Sequence, residues 1–445
     1  MTDARTRAGI ERLTAAESED LQRRVAGGLA ESGLRSGDRV AFVASSSGLL
    51  LSAILGSLRT GVIPVVLNPA LLAEEQAMLI ADAAPTCVVR DEDLAELALG
   101  APVDLAPAPL GRPMHYTSGT TGTPKGVWSG VLSEDEGLAL AAEEADLWRF
   151  DERDIHLVCS PLHHSAPIRF GGGTLLAGGT VLILTHFDPA AAVSVIRAHR
   201  PTSAFMVPAH LQRLFALDEL PDLSSFRLLA HAGAPCPPAL KRAALAAFPT
   251  GTVWEFYGST EGQFTACSPL EWIERPGTVG RARPGRTLST DPDGTIWCEV
   301  PIHARWAYWR DEIRTERAWR GDAFTVGDLG RVDHDGYLWL EGRRDDLIIS
   351  GGVNVYPVEV EQALADLDGI DELAVFGAAD ERWGQRVCAA VIGTVSPGQV
   401  IDHARSRLAA YKCPKDVYQV HDLPRTSTGK IRRSEIARAL GLEEG

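Results

Sequence analysis

Strand-like and helix-like segments alternate along the first part of the chain, and this alternation restricts the fold more than any other feature. Residues 39–45 (RVAFVAS) have the pattern of a buried strand, 49–58 that of an apolar helix, and 62–69 (VIPVVLNP) that of a second buried strand. A helical pattern over 74–84 and a strand-like run over 86–90 repeat the rhythm. Such alternation is typical of βαβ units, whose parallel strands are covered by helices. The sequence therefore predicts an α/β protein.

Length, charge and cysteine content exclude several classes of protein. A chain of 445 residues is too long for one ordinary domain, so we expect two or more. The formal net charge of −16 argues against a nucleic-acid partner, because phosphate backbones attract basic surfaces. Seven cysteines without a CxxC pair favour a reducing compartment and indicate no zinc site. The sequence has no apolar run as long as a membrane span, so we expect a cytoplasmic protein, with the oligomeric state open between monomer and dimer.

Residues 116–127 (YTSGTTGTPKGV) are rich in glycine and hydroxyl groups and indicate an anion-binding loop. Glycine accepts positive φ and lets backbone N–H groups approach a ligand closely. The hydroxyls and the compact charge of Lys125 suit a polyphosphate. The spacing is not that of a P-loop, because no Lys-Ser/Thr pair follows a glycine, so a kinase-like or GTPase-like function loses support. A flexible linker is the alternative interpretation of this composition.

The same segment resembles the phosphate-binding signature of the adenylate-forming superfamily, which includes acyl-CoA synthetases, firefly-type luciferases and peptide-synthetase adenylation domains. The resemblance implies that ATP binds at Thr117, Ser118, Gly119, Thr120, Thr121, Gly122 and Lys125. A second signature, YGSTEG at 257–262, implies that Tyr257 stacks on adenine beside Gly258, that Thr260 lies near the α-phosphate and that Glu261 holds Mg²⁺. The HAGAP run resembles the family loop that lies against the adenine and the substrate, through Gly233, Ala234 and Pro235.

Further motifs in the same order extend the resemblance towards the C-terminus. Asp328, in FTVGDLGRVDHDGYLWLEGR, matches the family aspartate that binds both ribose hydroxyls, for which a two-oxygen carboxylate is suited, and Arg343 matches an arginine that reaches ribose or phosphate. Asp345 falls at the family's hinge, and Lys430, in PRTSTGKIRR, matches the catalytic lysine of the small domain. Trp383, in DERWGQRV, matches an aromatic residue that faces the CoA adenine in aryl-CoA ligases, while ordinary edge packing is the alternative.

The acid-binding pocket is predicted from a third group of residues. PLHHSAP at 161–167 resembles the family segment whose histidine lies beside the acyl-binding tunnel, which identifies His164 as a catalytic and pocket residue. Gly172, Val207 and His231 complete the expected pocket. Gly172 belongs to a glycine triplet that either widens a pocket or allows close packing.

The resemblance spans nearly the whole chain. It implies a large N-terminal domain of doubly wound sheets plus a small β-barrel (residues 1–344), hinged to a small C-terminal α+β domain (345–445). It also implies an ATP-dependent acid–CoA ligase that uses ATP, Mg²⁺ and CoA and activates a carboxylic acid as its acyl-adenylate, with release of pyrophosphate. An adenylating enzyme that instead loads a carrier-protein thiol, forms an amide or activates another small oxyacid stays open, as does a catalytically silent homologue. Intact Lys430, Glu261 and Asp328 disfavour the silent homologue, and Trp383 favours CoA.

Overall fold

In a computed structural model, the protein is described over residues 10–117, 125–343, 346–350, 353–380, 382–425 and 431–442. The chain divides into a large unit (residues 1–236, 240–287 and 299–324) and a small unit (237–239, 288–298 and 325–445). The predicted domain boundary falls between residues 344 and 345, both outside the described ranges, and stays a prediction.

The large unit contains most of the alternating strands and helices. Its strands are β1 (Ile10–Thr14), β2 (Arg39–Val43), β3 (Ile63–Leu67), β4 (Cys87–Arg90), β5 (His115–Thr117), β6 (Lys125–Trp128), β7 (Ile155–Val158), β8 (Thr180–Leu184), β9 (Ser203–Met206), β10 (Leu228–His231), β11 (Val253–Glu255), β12 (Thr265–Ala266), β13 (Arg281–Ala282), then β14 (Thr287–Thr290) and β15 (Ile296–Glu299), which include residues of the small unit, and β16 (Ala307–Tyr308), β17 (Trp319–Arg320) and β18 (Ala323–Phe324). Its helices are α1 (Ala15–Glu31), α2 (Gly48–Leu58), α3 (Ala73–Ala83), α4 (Asp91–Leu97), α5 (Glu134–Trp148), α6 (Ser165–Leu176), α7 (Pro189–His199), α8 (Pro208–Phe215), α9 (Pro238–Ala247), α10 (Pro269–Glu274) and α11 (Glu312–Ala318).

The first βαβ unit forms as the alternation predicts. Strand β2 pairs in parallel with both β3 and β4, which gives a sheet in the order β3-β2-β4. Helix α2 begins after Ser47, whose side chain accepts a hydrogen bond from the backbone N–H of Leu50, a common N-cap arrangement. Almost every residue of α2 is buried, because a helix that is apolar all round must be covered on all sides. The predicted strand–helix–strand–helix–strand order over 39–90 is confirmed.

A six-stranded sheet, in the order β1-β8-β7-β9-β10-β11, determines where ligand-binding segments can lie. Strands β8, β7, β9, β10 and β11 run parallel, and β1 is antiparallel to β8. In open α/β sheets, ligands bind beyond the carboxyl ends of the strands. The segments that carry the predicted acid pocket and the adenine loop follow the carboxyl ends of β7, β9, β10 and β11. The sheet therefore brings these four segments to one edge.

The five-stranded sheet of the small unit has a hydrophobic core on each face. The unit contains the strands β19 (Asp328–Val332), β20 (Leu338–Arg343), β21 (Ile348–Ser350), β22 (Val353–Val355), β23 (Ile370–Asp380), β24 (Gly384–Gly393) and β25 (Asp416–Gln419), and the helices α12 (Pro357–Leu364), α13 (Pro397–Arg407) and α14 (Arg433–Ala439). Strands β19 and β20 form an antiparallel pair, while the sheet runs β22-β21-β24-β23 with β25 on β24. In β23, Val375 packs in the core that includes α12 and α13, whereas Ala374 and Phe376 pack in the core that includes α14. This period of two covers the sheet on both faces.

The mixed α/β class, with a large N-terminal and a smaller C-terminal part, is confirmed. The predicted small β-barrel and the hinge stay predictions.

Candidate active site

The predicted phosphate-binding segment connects two paired strands of the large unit. Thr117 ends β5, Lys125 begins β6, and the two residues are direct partners across an antiparallel pair. The strand pairing thus holds both ends of the segment next to each other. The part between them, with Ser118, Gly119, Thr120, Thr121 and Gly122, lies outside the described residues, so its predicted contacts with ATP stay a prediction.

Tyr308, which no sequence motif singled out, lies beside Lys125. Strand β16 continues the sheet on the far side of β6, with Tyr308 opposite Val127. This register puts Lys125 Nζ 5.2 Å from the centroid of the Tyr308 ring, a distance at which an ammonium is attracted to the aromatic face. Trp306 and Tyr308 are both buried, and aromatic residues two positions apart are typical of the covered face of a strand. That alternation is the signal that sequence reasoning missed.

Glu261 lies in a tight turn after β11 and contacts the same tyrosine. The Ser259 N–H donates to the Gly262 carbonyl at 2.8 Å and closes the turn. The Tyr308 hydroxyl donates to Glu261 Oε1 at 3.0 Å, and both side chains are buried. Arg112 Nη1 donates to the Glu261 backbone carbonyl at 3.0 Å, which fixes the turn from the other side. Lys125, Tyr308 and Glu261 are named the KYE cluster below.

The carboxylate of the KYE cluster suits a magnesium ion. Mg²⁺ prefers oxygen ligands and is commonly held by one or two carboxylates, with substrate phosphates and water completing its shell. Glu261 provides such an oxygen donor. Within the described residues, the hydrogen bond to its carboxylate comes from a neutral hydroxyl, that of Tyr308. The nearby ammonium of Lys125 favours negative charge at the same place. The donor set therefore fits a phosphate-bound Mg²⁺.

The turn that carries Glu261 helps to line a partly enclosed cavity of about 440 Å³, which is named the enclosed cavity below. Thr260 and Gly262, which flank Glu261, line it, as do apolar residues of α2, α5 and α6 such as Leu55, Leu140 and Ile168. A mostly apolar cavity of this size with a few polar groups is typical of a small-molecule site. A more open depression of about 550 Å³ beside α1 contains none of the predicted site residues, so the enclosed cavity is the candidate site for the acid.

Of the four predicted pocket residues, Gly172 lines this cavity, whereas His164, Val207 and His231 are not among its described lining residues. A Cβ at Gly172 would lie 2.9 Å from Leu55 Cδ2, so the missing side chain permits close packing at the cavity wall. His164 precedes α6 at its N-cap position, with its ring centroid 4.4 Å from that of His163. Val207 packs in the aromatic cluster with Phe205. The predicted roles of His164 and Val207 in acid binding stay predictions.

His231 is fully buried and contacts Lys241. Its Nε2 lies 2.5 Å from Lys241 Nζ, and Lys241 Nζ lies 3.4 Å from Glu255 Oε2. Burial and the Lys241 charge hold the pKa of His231 well below its usual range, so the neutral ring accepts the hydrogen bond. His231 is not among the described residues that line the enclosed cavity, and its pocket role stays a prediction.

The adenine-loop residues follow the ends of β10 and β11. Gly233 has φ +91°, a left-handed conformation that glycine adopts without strain, and it turns the chain just past the sheet edge. Ala234 and Pro235 continue this loop. Tyr257 is buried, with its ring centroid 4.7 Å from that of Phe264. The stacking of Tyr257 on adenine stays a prediction.

The two predicted ribose residues meet in the small unit. Asp328 begins β19, Arg343 ends β20, and the two are partners across the antiparallel pair. Arg343 Nε donates to Asp328 Oδ1 at 2.8 Å, and the aspartate side chain is 12% exposed against 48% for the arginine. The guanidinium thereby orients the carboxylate, a two-oxygen acceptor of the kind that suits a vicinal diol.

Comparison with protein families decides the relationship. The model of the AMP-binding enzyme family matches residues 2–108 and 113–294, and the model of the AMP-binding enzyme C-terminal domain matches residues 359–430. The chain belongs to the AMP-binding enzyme family.

Individual relatives of this AMP-binding enzyme are ligases and synthetases. An indoleacetate–CoA ligase of Aromatoleum aromaticum is 33% identical over 316 residues, which cover 66% of this chain and 61% of that protein. A structure of the o-succinylbenzoate CoA synthetase of Bacillus subtilis with its acyl-adenylate intermediate matches with a TM-score of 0.84 at 27% identity, covering 94% of this chain and 92% of that chain. The amide bond synthetase of Marinactinospora thermotolerans matches with a TM-score of 0.84 at 27% identity, covering 96% and 95%.

The remaining predicted residues of the AMP-binding enzyme lie towards its C-terminus. Asp345 and Lys430 lie outside the described residues. Trp383 is in the turn between β23 and β24, as expected, and 41% of its surface is exposed, with the Arg382 guanidinium 4.8 Å from its ring. None of the helices in the described part of the chain has both the length and the apolarity needed to cross a membrane.

Proposed function

We propose that this AMP-binding enzyme is an ATP-dependent acid–CoA ligase. It activates a carboxylic acid as the acyl-adenylate with release of pyrophosphate, and then transfers the acyl group to CoA. The observation that carries the proposal is that one turn serves two purposes. Glu261 of this turn belongs to the KYE cluster, while its neighbours Thr260 and Gly262 line the acid-sized cavity.

The chemistry of the first step follows from the poor electrophilicity of a carboxylate. Its oxygen attacks the α-phosphorus of ATP, the bond to pyrophosphate breaks, and the acyl group gains a good leaving group. Catalysis of such a step is chiefly positioning and charge stabilisation. Lys125 provides positive charge. Thr260, which lines the cavity, is assigned the place where the acid meets the α-phosphate, and Glu261 would hold the Mg²⁺ that neutralises phosphate charge. Lys430 keeps its predicted catalytic role and His164 its role beside the acid.

Nucleotide recognition is assigned to separate groups of residues. Asp328, oriented by Arg343, accepts hydrogen bonds from the ribose hydroxyls. The adenine-facing residues and the phosphate-binding residues are those predicted from sequence, namely Gly233, Ala234, Pro235, Tyr257 and Gly258, and Thr117, Ser118, Gly119, Thr120, Thr121, Gly122 and Lys125. Val207, His231 and Gly172 keep the roles at the acid site that the resemblance implies.

The second half-reaction uses the C-terminal part of the chain. Trp383 is exposed in a turn, so its face is available for an adenine ring of CoA. Asp345 remains the proposed hinge and 344/345 the proposed domain boundary. The seven cysteines are free thiols, which supports a reducing compartment and hence the cytoplasm, where ATP and CoA are abundant.

Exchange of labelled pyrophosphate into ATP across a panel of carboxylic acids tests the first step. Exchange that depends on one acid class, and that Glu261→Gln abolishes while the variant keeps the wild-type thermal midpoint, supports the proposal. Acid-independent exchange, or none with any acid, contradicts it.

Amide formation is the second candidate, favoured by the similarity to an amide bond synthetase. The two functions share the adenylation step and differ in the acceptor. If the adenylate forms but no CoA thioester appears at millimolar CoA, a panel of amines and a carrier-protein thiol replaces CoA in the same assay.

A further inference from the structure

The enclosed cavity has an unusual concentration of buried guanidinium groups. Arg112, Arg169 and Arg286 line it, and Glu144 is the one carboxylate among its described lining residues. Arg286 is 4% exposed and Arg169 is 15% exposed, so both charges are largely removed from water. Burying a cation is costly unless an anion compensates it. Whether each buried arginine has a compensating carboxylate therefore indicates which charge a ligand of the cavity carries.

The two nearest carboxylates are already engaged by other groups. Glu144 Oε1 accepts from Arg283 Nη2 at 2.7 Å, and Glu144 Oε2 accepts from the indole N–H of Trp148 at 2.9 Å. Glu143 Oε1 bonds His303 Nε2 at 2.6 Å, and Glu143 Oε2 lies 2.9 Å from Arg286 Nη2. Each carboxylate therefore already has a bonded partner other than Arg169.

Arg169 shares its carboxylate partner, Glu144, with Arg283. Its Nε lies 3.4 Å from Glu144 Oε2, and within the described residues neither its Nε nor its Nη2 makes a hydrogen bond. Arg112 donates to backbone carbonyls, and the carboxylates of Glu261 and, more weakly, Glu144 favour its charged form. Arg169, Arg283 and Arg286 thus face two carboxylates, which leaves one buried positive charge in the cavity.

The protonation states support this count. Burial lowers the pKa of Arg169 only to about 10, so the guanidinium is charged at neutral pH. Burial alone would raise the pKa of Glu144, but Arg169 and Arg283 outweigh burial and lower it to about 2, so Glu144 is a carboxylate. Arg169 and Glu144 are therefore both charged at neutral pH.

We propose that the acid substrate carries a second anionic group, a carboxylate at its distal end, which binds Arg169 inside the cavity. This inference rests on the proposed function. A guanidinium donates charge-assisted hydrogen bonds to a carboxylate, whose charge compensates its own. The apolar residues of α2 and α6 cover the body of the molecule, and the reacting carboxylate lies at Thr260. The substrate class is therefore a dicarboxylic acid with an apolar middle.

The test compares dicarboxylic acids with their own monoamides in pyrophosphate exchange. Straight-chain diacids and terephthalic acid, each with its monoamide, are used so that shape is kept and only the distal charge changes. Hydrogen bonds to charged groups differ enough from neutral ones to predict a 10- to 100-fold preference in kcat/KM for the better diacid over its monoamide. Arg169→Gln is expected to reduce this ratio to near one, and Arg169→Lys to keep a part of it.

Arg153→Gln is the matched control. Arg153 is exposed and pairs with Asp151 on the surface, so the same chemical change there leaves the ratio unaltered. A wild-type ratio near one overturns the inference, and so does an Arg169→Gln variant that loses exchange equally with diacid and monoamide. If Arg169→Gln does not fold, the wild-type ratio and Arg169→Lys decide. If no acid supports exchange, the proposed function fails, and calorimetric binding of the diacid to wild type and Arg169→Lys then decides the subsite alone.

Discussion

Removal of the Tyr308 hydroxyl tests how the KYE cluster works. Tyr308→Phe keeps the buried ring beside Lys125 but deletes the donor that lies 3.0 Å from Glu261 Oε1. A hydrogen bond to a charged group contributes about 1.5–3 kcal/mol, which corresponds to about 10- to 150-fold in an equilibrium constant. Because the carboxylate would lose its orientation, part of this free energy should appear as weaker use of Mg²⁺.

The assay is acid-dependent pyrophosphate exchange at increasing Mg²⁺, with saturating acid. We expect Tyr308→Phe to need roughly tenfold more Mg²⁺ for half-maximal exchange, which corresponds to the lower end of the range of about 1.5–3 kcal/mol. The free energy of unfolding should fall by no more than about 3 kcal/mol, since one bond is lost. Tyr411→Phe, at a tyrosine that is 43% exposed, is the control for loss of a hydroxyl. A folded Tyr308→Phe enzyme with wild-type Mg²⁺ dependence would refute the positioning role of Tyr308.

Three further predictions concern other parts of the chain. Asp328→Asn removes the charge that Arg343 orients and should weaken ATP binding about 10- to 100-fold in calorimetry; unchanged affinity would remove Asp328 from the nucleotide site. Trp383→Ala should raise the KM for CoA while pyrophosphate exchange stays normal, since base stacking contributes about 1–3 kcal/mol; equal damage to both half-reactions would indicate a structural tryptophan instead. The depressed pKa of Glu144, about 2 against an ordinary 4.5, means that its stabilising effect is complete above pH 4.5 and is lost as the pH falls towards 2. Glu144→Gln should therefore reduce the loss of unfolding free energy between pH 4.5 and pH 2 by up to about 3 kcal/mol. Denaturant titrations at several pH values measure this free energy, and the same pH dependence in both proteins would contradict the prediction.

Much of the fold could be predicted because its signals are local. The apolar runs over β2, α2 and β3 differ in length and are separated by turn residues, so their order and parallel pairing follow from short segments. Glu261 was predictable as a site residue because its motif is contiguous, although its catalytic role is still a prediction.

The features that the sequence did not reveal depend on contacts between distant residues. Tyr308 reaches Glu261 across 47 positions because β16 joins the β5–β6 pair, and no local pattern encodes that pairing. Arg169 is one arginine in a helix, and its excess charge becomes visible only when Glu144 is found to be bonded to Arg283, 139 residues away from it. The contact between His231 and Lys241, ten residues further along the chain, likewise becomes visible only in the structure, and the pocket role of His231 stays a prediction.

The most direct test of the central claim is the product analysis of a complete reaction. The purified enzyme is mixed with ATP, Mg²⁺, CoA and the acid that gives the strongest pyrophosphate exchange, and nucleotides and thioesters are measured by liquid chromatography with mass spectrometry. We expect AMP, pyrophosphate and acyl-CoA in equal amounts, with none of them formed when the acid is left out. Formation of ADP, or of AMP without any acyl-CoA at millimolar CoA, would contradict an acid–CoA ligase.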